Sequence, residues 1–258
     1  MLTNIVTFSY SIAALAFLSL LLLLLTRWRA RPNGMAMSAA SACALAWSMA
    51  LAWHAQDVRA TAWLADMLEL LRNGAWTLVL LALLGHFRAG GMREFWRNPL
   101  LLVLVGLYVA VVIDRAASFF APELLGPWIY MVEAIARMGM ALMGMLLVEQ
   151  LYRNTPLHER WGVKFVCLGI GGMFVYDFYL YSDALLMRRI NPEIWAARGV
   201  VNALTAPLIA VAVARSAAWS TQLSVSRRVL FHSAALFGSA AYLLAMGAAG
   251  YYVRYFGG

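Results

Sequence analysis

The sequence predicts an all-α integral membrane protein, a polytopic bundle of eight transmembrane helices with its N-terminus outside. Of its 258 residues, 64% are hydrophobic and only 12% are charged, whereas soluble domains carry about 45–50% apolar and about 25% charged residues. The apolar residues gather in eight stretches, each close to the roughly 20 residues that a spanning helix needs. Residues 1–258 are therefore predicted to form a single transmembrane domain.

The predicted helices follow one another with short connections. They cover residues 4–26, 35–55, 62–87, 98–120, 125–150, 161–186, 194–216 and 229–255. Helix-breaking and turn-forming residues separate several of them: Pro32-Asn33-Gly34, Gly90-Gly91, Asn98-Pro99, Pro122, Asn154-Thr155-Pro156 and Asn191-Pro192. Eight of the ten tryptophans lie near predicted helix ends, as in the aromatic belts at membrane interfaces.

The distribution of basic residues predicts the orientation. The odd-numbered loops hold twelve of them: Arg27, Arg29, Arg31, Arg88, Arg93, Arg97, Arg153, Arg160, Lys164, Arg215, Arg227 and Arg228. The even-numbered loops hold only Arg59, Arg188 and Arg189. Because cytoplasmic loops are enriched in Lys and Arg, the odd loops are expected in the cytoplasm and both chain ends outside.

The remaining composition narrows the function. The net charge is +8, but the bases are scattered between apolar stretches, so no nucleic-acid partner is expected and the lipid bilayer is the main one. Cys43 and Cys167 lie inside apolar stretches and indicate neither a disulfide framework nor a zinc site. The single lysine, Lys164, opens the sixth helix and cannot hold a mid-helix retinal. No catalytic motif, metal site or cofactor site is predicted in this chain.

Ionisable residues at unusual depth mark the predicted site, because charges inside a bilayer are costly. They are Asp66, Glu69, Arg72, Asp114, Arg115, Glu133, Arg137, Asp177, Asp183 and Arg198. The predicted topology places all of them in the outer half of the membrane or near its middle. Glu133 and Arg137 are four residues apart on one helix, a spacing that allows an ion pair.

Two interpretations of these charges stay open. One is a structural network in which each acid finds an arginine and fixes the helix register. The other is an outward-facing pocket for a ligand or a proton, lined by Asp66, Arg72, Glu133, Arg137 and Asp177. The two are compatible, since a network with two arrangements can serve a sensor.

Several long runs of sequence resemble a known family. They are residues 151–165 (LYRNTPLHERWGVKF), 176–186 (YDFYLYSDALL), 197–203 (ARGVVNA), 224–229 (SVSRRV) and 250–258 (GYYVRYFGG). They resemble the N-terminal membrane-sensor half of the PrsK family of sensor histidine kinases, which belongs to the PEP-CTERM/exosortase system. The resemblance covers the whole chain and is densest after residue 149.

The resemblance implies a signal-input domain in the bacterial inner membrane. In such a kinase, the membrane part is followed by a GAF-like domain, a phosphoacceptor-histidine domain and an ATP-binding domain. The kinase phosphorylates a PrsR-like response regulator, which controls exopolysaccharide and PEP-CTERM protein production. ATP and Mg²⁺ are implied only for those domains, whose motifs this chain lacks, so no catalytic residue carries over. The alternative function is a small polytopic transporter or channel.

Two further expectations concern the C-terminal part. The eighth helix carries small residues at four-residue spacing, namely Ala234 and Gly238 and then Ala241, Ala245 and Ala249. That face suits close helix packing, within the chain or in a homodimer. A cytoplasmic kinase also conflicts with an outside C-terminus, so the chain is expected to be truncated, with a ninth apolar helix after Gly258.

Overall fold

The computed structural model describes residues 2–27, 32–55, 58–85, 99–120, 128–157 and 160–215, and all regular structure in these ranges is α-helical. The seven helices are α1 (Leu2–Arg27), α2 (Pro32–His54), α3 (Val58–Leu83), α4 (Pro99–Phe120), α5 (Trp128–Asn154), α6 (Arg160–Met187) and α7 (Pro192–Arg215). Helices are the expected solution in lipid, because each satisfies its own backbone hydrogen bonds.

The seven helices match the first seven predicted ones, with ends that differ by a few residues. The eighth predicted helix, 229–255, lies outside the described residues. Five of the described helices, α1, α2, α5, α6 and α7, are long and apolar enough to cross a membrane. Helix α3 is not among the five, and it carries Asp66, Glu69 and Arg72 within 26 residues. The described part of the chain is therefore all-helical, with five helices of membrane-spanning character.

Helix contacts form a closed ring. Helix α2 packs against both α1 and α3, and α3 packs against α5. The ring then continues through α6 and α7, which packs against α1. Helix α4 lies outside it, packed mainly against α5, while its Tyr108 hydroxyl approaches the Thr77 hydroxyl of α3 at 3.4 Å. The first and last helices of this set thus meet although they are far apart in sequence.

A continuous apolar core fills one part of the ring. Its large fully buried members include Phe17, Trp76, Leu80 and Phe174. The Phe174 ring lies directly over Gly144, where a β-carbon would come within 2.6 Å of the ring. Glycine therefore lets α5 and α6 approach closely at this point, as small residues do between membrane helices.

The outer surface of the bundle is also apolar. Large hydrophobic side chains are exposed on several helices, among them Phe8, Leu15, Leu22, Met49 and Leu71. Soluble proteins rarely expose apolar surface on this scale, and a lipid bilayer covers such side chains without cost.

Candidate functional site

The deep charges predicted from the sequence gather at one end of the bundle. At this end, called the cluster end below, α1, α3, α5 and α7 begin and α2, α4 and α6 end. The charges come from α3, α4, α5, α6 and α7. Because these helices run alternately toward and away from the cluster end, charges as far apart in sequence as Glu69 and Arg198, 129 positions, become neighbours.

The innermost part of this site, called the sealed layer, consists of Glu69, Arg72, Asp177 and Arg198. All four are at most 2% exposed. Asp177 accepts a hydrogen bond from Arg72 through one carboxylate oxygen and from Arg198 Nε through the other, at 2.7 Å in the second case. Arg198 Nη2 donates to Glu69 Oε1 at 2.8 Å. The sealed layer is therefore a continuous chain of two acids and two arginines.

Neutral side chains complete the coordination of Arg72. Its guanidinium donates to Asn73 Oδ1 at 2.7 Å and to Asn202 Oδ1 at 3.0 Å. The same group lies over the ring of Trp47, 3.8 Å from the ring centroid. Cation–π contacts of this kind strengthen when the cation is removed from water. Trp47 of α2 thus forms a wall of the sealed layer although it carries no charge.

Tyr10 connects α1 to the same region. Its hydroxyl donates to the Trp195 carbonyl at 3.0 Å, and its ring meets that of Trp47 edge-on. The adjacent Ser9 hydroxyl donates to the Ala196 carbonyl at 2.6 Å. This approach of α1 to α7 depends on Gly199, where a β-carbon would lie 2.8 Å from the Ser9 carbonyl carbon and 2.9 Å from the Tyr10 nitrogen.

Arg137 links the sealed layer to the more exposed charges. Its Nη1 contacts Glu69 Oε1 at 3.0 Å, and its Nη2 contacts Glu133 Oε1 at 2.7 Å and Asp66 Oδ1 at 3.3 Å. The ion pair with Glu133 is the one that their four-residue spacing predicts. Tyr181 supports the link, because its hydroxyl accepts from Arg137 Nη1 at 3.1 Å and donates to Glu69 Oε1.

The outer part, called the rim, consists of Asp66, Arg115 and Glu133. Arg115 contacts Asp66 Oδ2 at 3.3 Å and also pairs with Glu133. The side chains of Asp66, Arg115 and Glu133 are 28%, 26% and 16% exposed. The rim therefore continues the same charge network into a region that solvent can reach.

The charges balance across the whole network. Its acids are Asp66, Glu69, Glu133 and Asp177, and its bases are Arg72, Arg115, Arg137 and Arg198. A paired network avoids most of the several kcal/mol per ion that an isolated buried charge would cost. The shared, mostly paired cluster expected from the sequence is thus present for eight of the ten predicted site residues.

The other two predicted residues lie beside the network. Asp114 is buried next to Arg115 on α4. Asp183 is partly buried near the end of α6, and its Oδ2 lacks a hydrogen-bond partner among the described residues. Neither joins the ion-pair chain that connects the sealed layer to the rim within the described part of the protein.

A cavity of about 370 Å³ opens at the cluster end. Its walls come from α2, α3, the α6–α7 connection and the start of α7. The lining residues are Leu51, His54, Ala65, Asp66, Glu69, Ile190, Pro192 and Trp195. Of the five residues proposed to line a pocket, only Asp66 faces this cavity, since Arg72 and Asp177 are sealed and Glu133 and Arg137 belong to the network behind it.

Sequence reasoning missed the neutral members of the site. The sequence criterion for the site was an ionisable residue deep inside a predicted membrane helix. Trp47, Asn73 and Tyr181 carry no charge, so this criterion did not select them. Ser9 and Gly199, which form the α1–α7 contact, are not marked by any sequence pattern either. Asn202 follows Arg198 by one helical turn, and this spacing is a signal that could have placed it on the same face of α7.

Among the described residues, no group of three or more His, Cys, Asp or Glu side chains is arranged to hold a metal ion. The acids of the cluster alternate with arginines instead of converging on a common point. Comparison of the chain with protein families, with curated proteins and with solved structures finds no match.

Proposed function

We propose that the chain is the transmembrane signal-input domain of a sensor histidine kinase in the bacterial inner membrane, in line with its resemblance to the PrsK family. The observation that carries this proposal is the cluster end, where a neutral network of eight charges borders an open cavity. Such a network connects α3, α4, α5, α6 and α7. A stimulus that changes one ion pair can therefore shift five helices relative to one another.

The apolar core favours a sensor over the alternative, a small transporter or channel. A transport path needs polar groups through both halves of the membrane, often beside broken helices. Beyond the sealed layer, the described interior is filled by apolar side chains such as Phe17, Trp76, Leu80 and Phe174. That packing closes the polar region on one side and leaves it open on the other, which suits reception of a signal.

We further propose the eight-span topology with the cluster end outside. Helix α3 is 26 residues long, or about 39 Å at 1.5 Å per residue, enough to cross a 30 Å core. Its outward-facing Trp63, Leu64, Leu71 and Leu78 are apolar and exposed, while Glu69, Arg72 and Asn73 are buried. At the opposite end of the bundle lie Arg27, Arg153, Arg160, Lys164 and Arg215, as the positive-inside rule requires for the cytoplasm.

Labelling of introduced cysteines tests this orientation. Leu157 and Arg189 are both exposed, at opposite ends of the bundle. In intact cells, a membrane-impermeant maleimide should label Arg189→Cys and spare Leu157→Cys until the membrane is permeabilised. The parent chain, with Cys43 and Cys167 in place, gives the background. The reverse labelling pattern would reject the proposed orientation.

Autophosphorylation of the complete gene product tests the function itself. The proposal requires kinase domains in the same reading frame, and it predicts that Asp66→Asn at the rim changes autophosphorylation in membrane vesicles without lowering the folded amount. Arg153→Gln, far from the cluster, is the matched control and should leave the rate unchanged. A reading frame without kinase domains, or solute flux through proteoliposomes of the purified chain, would favour the transporter.

A further inference from the structure

The turn between α5 and α6, at the end of the bundle opposite the cluster end, holds one arginine in a fixed position. Arg160 Nε donates to the Thr155 carbonyl at 3.1 Å, and the guanidinium lies over the ring of Tyr152, 5.3 Å from its centroid. Thr155 is itself fixed, because it is buried and its hydroxyl donates to the Leu151 carbonyl at 2.6 Å. These contacts use Nε and one face of the guanidinium. Among the described residues, they leave Nη1 and Nη2 of Arg160 to donate to another group.

A second cation lies beside the first. Lys164 follows Arg160 by one helical turn and is therefore on the same face of α6. Its side chain is exposed, and its ammonium lies 5.8 Å from the ring centroid of Trp161 and 5.9 Å from that of Phe165. The two rings meet edge-on at 5.7 Å. Arg160 and Lys164 thus form a pair of cations whose described contacts are largely with aromatic rings.

The acids near this pair do not neutralise the surface. Glu149 is occupied by another base, because its Oε1 contacts Arg153 Nη2 at 2.7 Å. Glu159 lies outside the described residues. The predicted loops at this end of the bundle, with the adjoining helix ends, carry twelve bases and three acids, the third acid being Glu94. Anionic lipids in a leaflet attract basic segments of this kind.

An apolar stripe continues from the two cations along α6. Trp161, Leu168 and Val175 are spaced by about two helical turns and are 61%, 52% and 50% exposed. From Lys164 to Val175 the helix rises by about 16 Å, close to the roughly 15 Å half-thickness of the hydrocarbon core of a bilayer. The stripe therefore has the length of one acyl chain that begins at a headgroup beside Lys164.

From this geometry we infer that the α5–α6 turn binds an anionic phospholipid. Arg160 Nη1 and Nη2 and the Lys164 ammonium donate to the phosphodiester, since the guanidinium fork matches two phosphate oxygens. Trp161 lies at the depth of the headgroup, as aromatic side chains do at membrane interfaces, and the acyl chain contacts Leu168 and Val175. A zwitterionic lipid brings its own cation to the two bases and is held less tightly. This site is separate from the cluster end and does not depend on the proposed sensor function.

Native mass spectrometry of the purified chain in detergent tests the ligand class. The probes are phosphatidylglycerol and phosphatidylcholine with the same palmitoyl and oleoyl chains, and glycerol phosphate, which has no acyl chain. Phosphatidylglycerol should bind at least about fivefold more tightly than phosphatidylcholine, and glycerol phosphate should not displace it. Equal affinities for the two lipids would overturn the inference. Displacement by glycerol phosphate would reject a lipid site in favour of one for a soluble phosphate.

Lys164→Gln tests the site itself, because this exposed side chain can change without disturbing the contacts that fix Arg160. Phosphatidylglycerol binding should weaken about fivefold, the effect of one base near an anionic surface, and phosphatidylcholine binding should not change. Arg153→Gln is the matched control, since Arg153 is an exposed base at the same end that Glu149 already pairs. It should bind phosphatidylglycerol as the parent chain does. Unchanged binding in Lys164→Gln, or an equal loss in both variants, would reject the site.

Discussion

Arg198 and Arg115 show how differently the same residue type is used in the sealed layer and the rim. Both arginines contact two carboxylates. Arg198 is fully buried and contacts Asp177 at 2.7 Å and Glu69 at 2.8 Å. Arg115 is 26% exposed and contacts Asp66 at 3.3 Å as well as Glu133. In the sealed layer water cannot replace a lost partner, whereas at the rim it can.

The comparison separates two roles within one network. Removing one member of a buried charge network leaves its partners charged in a low-dielectric site, and this strongly lowers the free energy of unfolding. Replacing a whole buried ion pair by apolar residues changes that free energy much less. The sealed layer is therefore suited to fixing the positions of α3, α6 and α7. The rim, whose Arg115, Asp66 and Glu133 side chains are 26%, 28% and 16% exposed, is suited to change at low cost.

The largest expected effect is in the sealed layer. Arg198→Gln removes a cation from both Asp177 and Glu69 and should lower the free energy of unfolding by about 3–5 kcal/mol. Steric-trapping measurements in bicelles give this quantity directly. A loss under about 1 kcal/mol, equal to that of a rim variant, would mean that water enters the sealed layer and that the two regions do not differ.

The next effect concerns the α1–α7 contact that closes the sealed layer. Gly199→Ala places a β-carbon against Ser9 and the Tyr10 backbone nitrogen. Overpacking of this kind typically lowers the free energy of unfolding by about 1–3 kcal/mol. Gly172→Ala is the matched control, because nothing lies within 4 Å of its β-carbon and alanine favours a helix by about 1 kcal/mol over glycine. The melting temperature should fall for the first variant and stay level or rise for the second.

Two ion pairs on α5 allow a third test at fixed geometry. Glu133–Arg137 and Glu149–Arg153 both have four-residue spacing and N–O distances of 2.7 Å, but Arg137 is 8% exposed and Arg153 is 46% exposed. Double-mutant cycles with glutamine should give a coupling energy of about 0.5–3 kcal/mol for the first pair. The second pair should give about 0.3–0.5 kcal/mol.

Strict additivity at Glu133 and Arg137 would show that burial does not strengthen this pair. If the pair stood alone, each single variant would lower the free energy of unfolding more than the double variant does. Because Arg137 also holds Glu69 and Asp66, and Glu133 also holds Arg115, the double variant should still be less stable than the parent chain.

The sequence predicted the parts of this structure that arise from local chemistry. Apolar run length located seven helices, and the cost of buried charge identified eight residues that the structure joins in one network. It did not predict which helices are neighbours, because pairing of α1 with α7 or α3 with α5 depends on surface shape. Trp47, Tyr181 and Gly199 were missed for that reason, since an uncharged residue gains its role only from the helix opposite it.

The smallest expected effect on stability is at the rim. Arg115→Gln should lower the free energy of unfolding by no more than about 1 kcal/mol, because water can hydrate the Asp66 and Glu133 carboxylates that it leaves.

The same change removes the ion pairs that hold α4 to Asp66 of α3 and Glu133 of α5. A spin-label pair on α3 and α4, at the exposed positions Leu71 and Val112, should therefore report a broader distance distribution by pulsed EPR. Leu71 and Val175 of α6 form the matched pair and should report no broadening, because the sealed layer that joins α3 to α6 is intact. A large loss of stability with unchanged α3–α4 distances would mean that the rim fixes the fold as the sealed layer does.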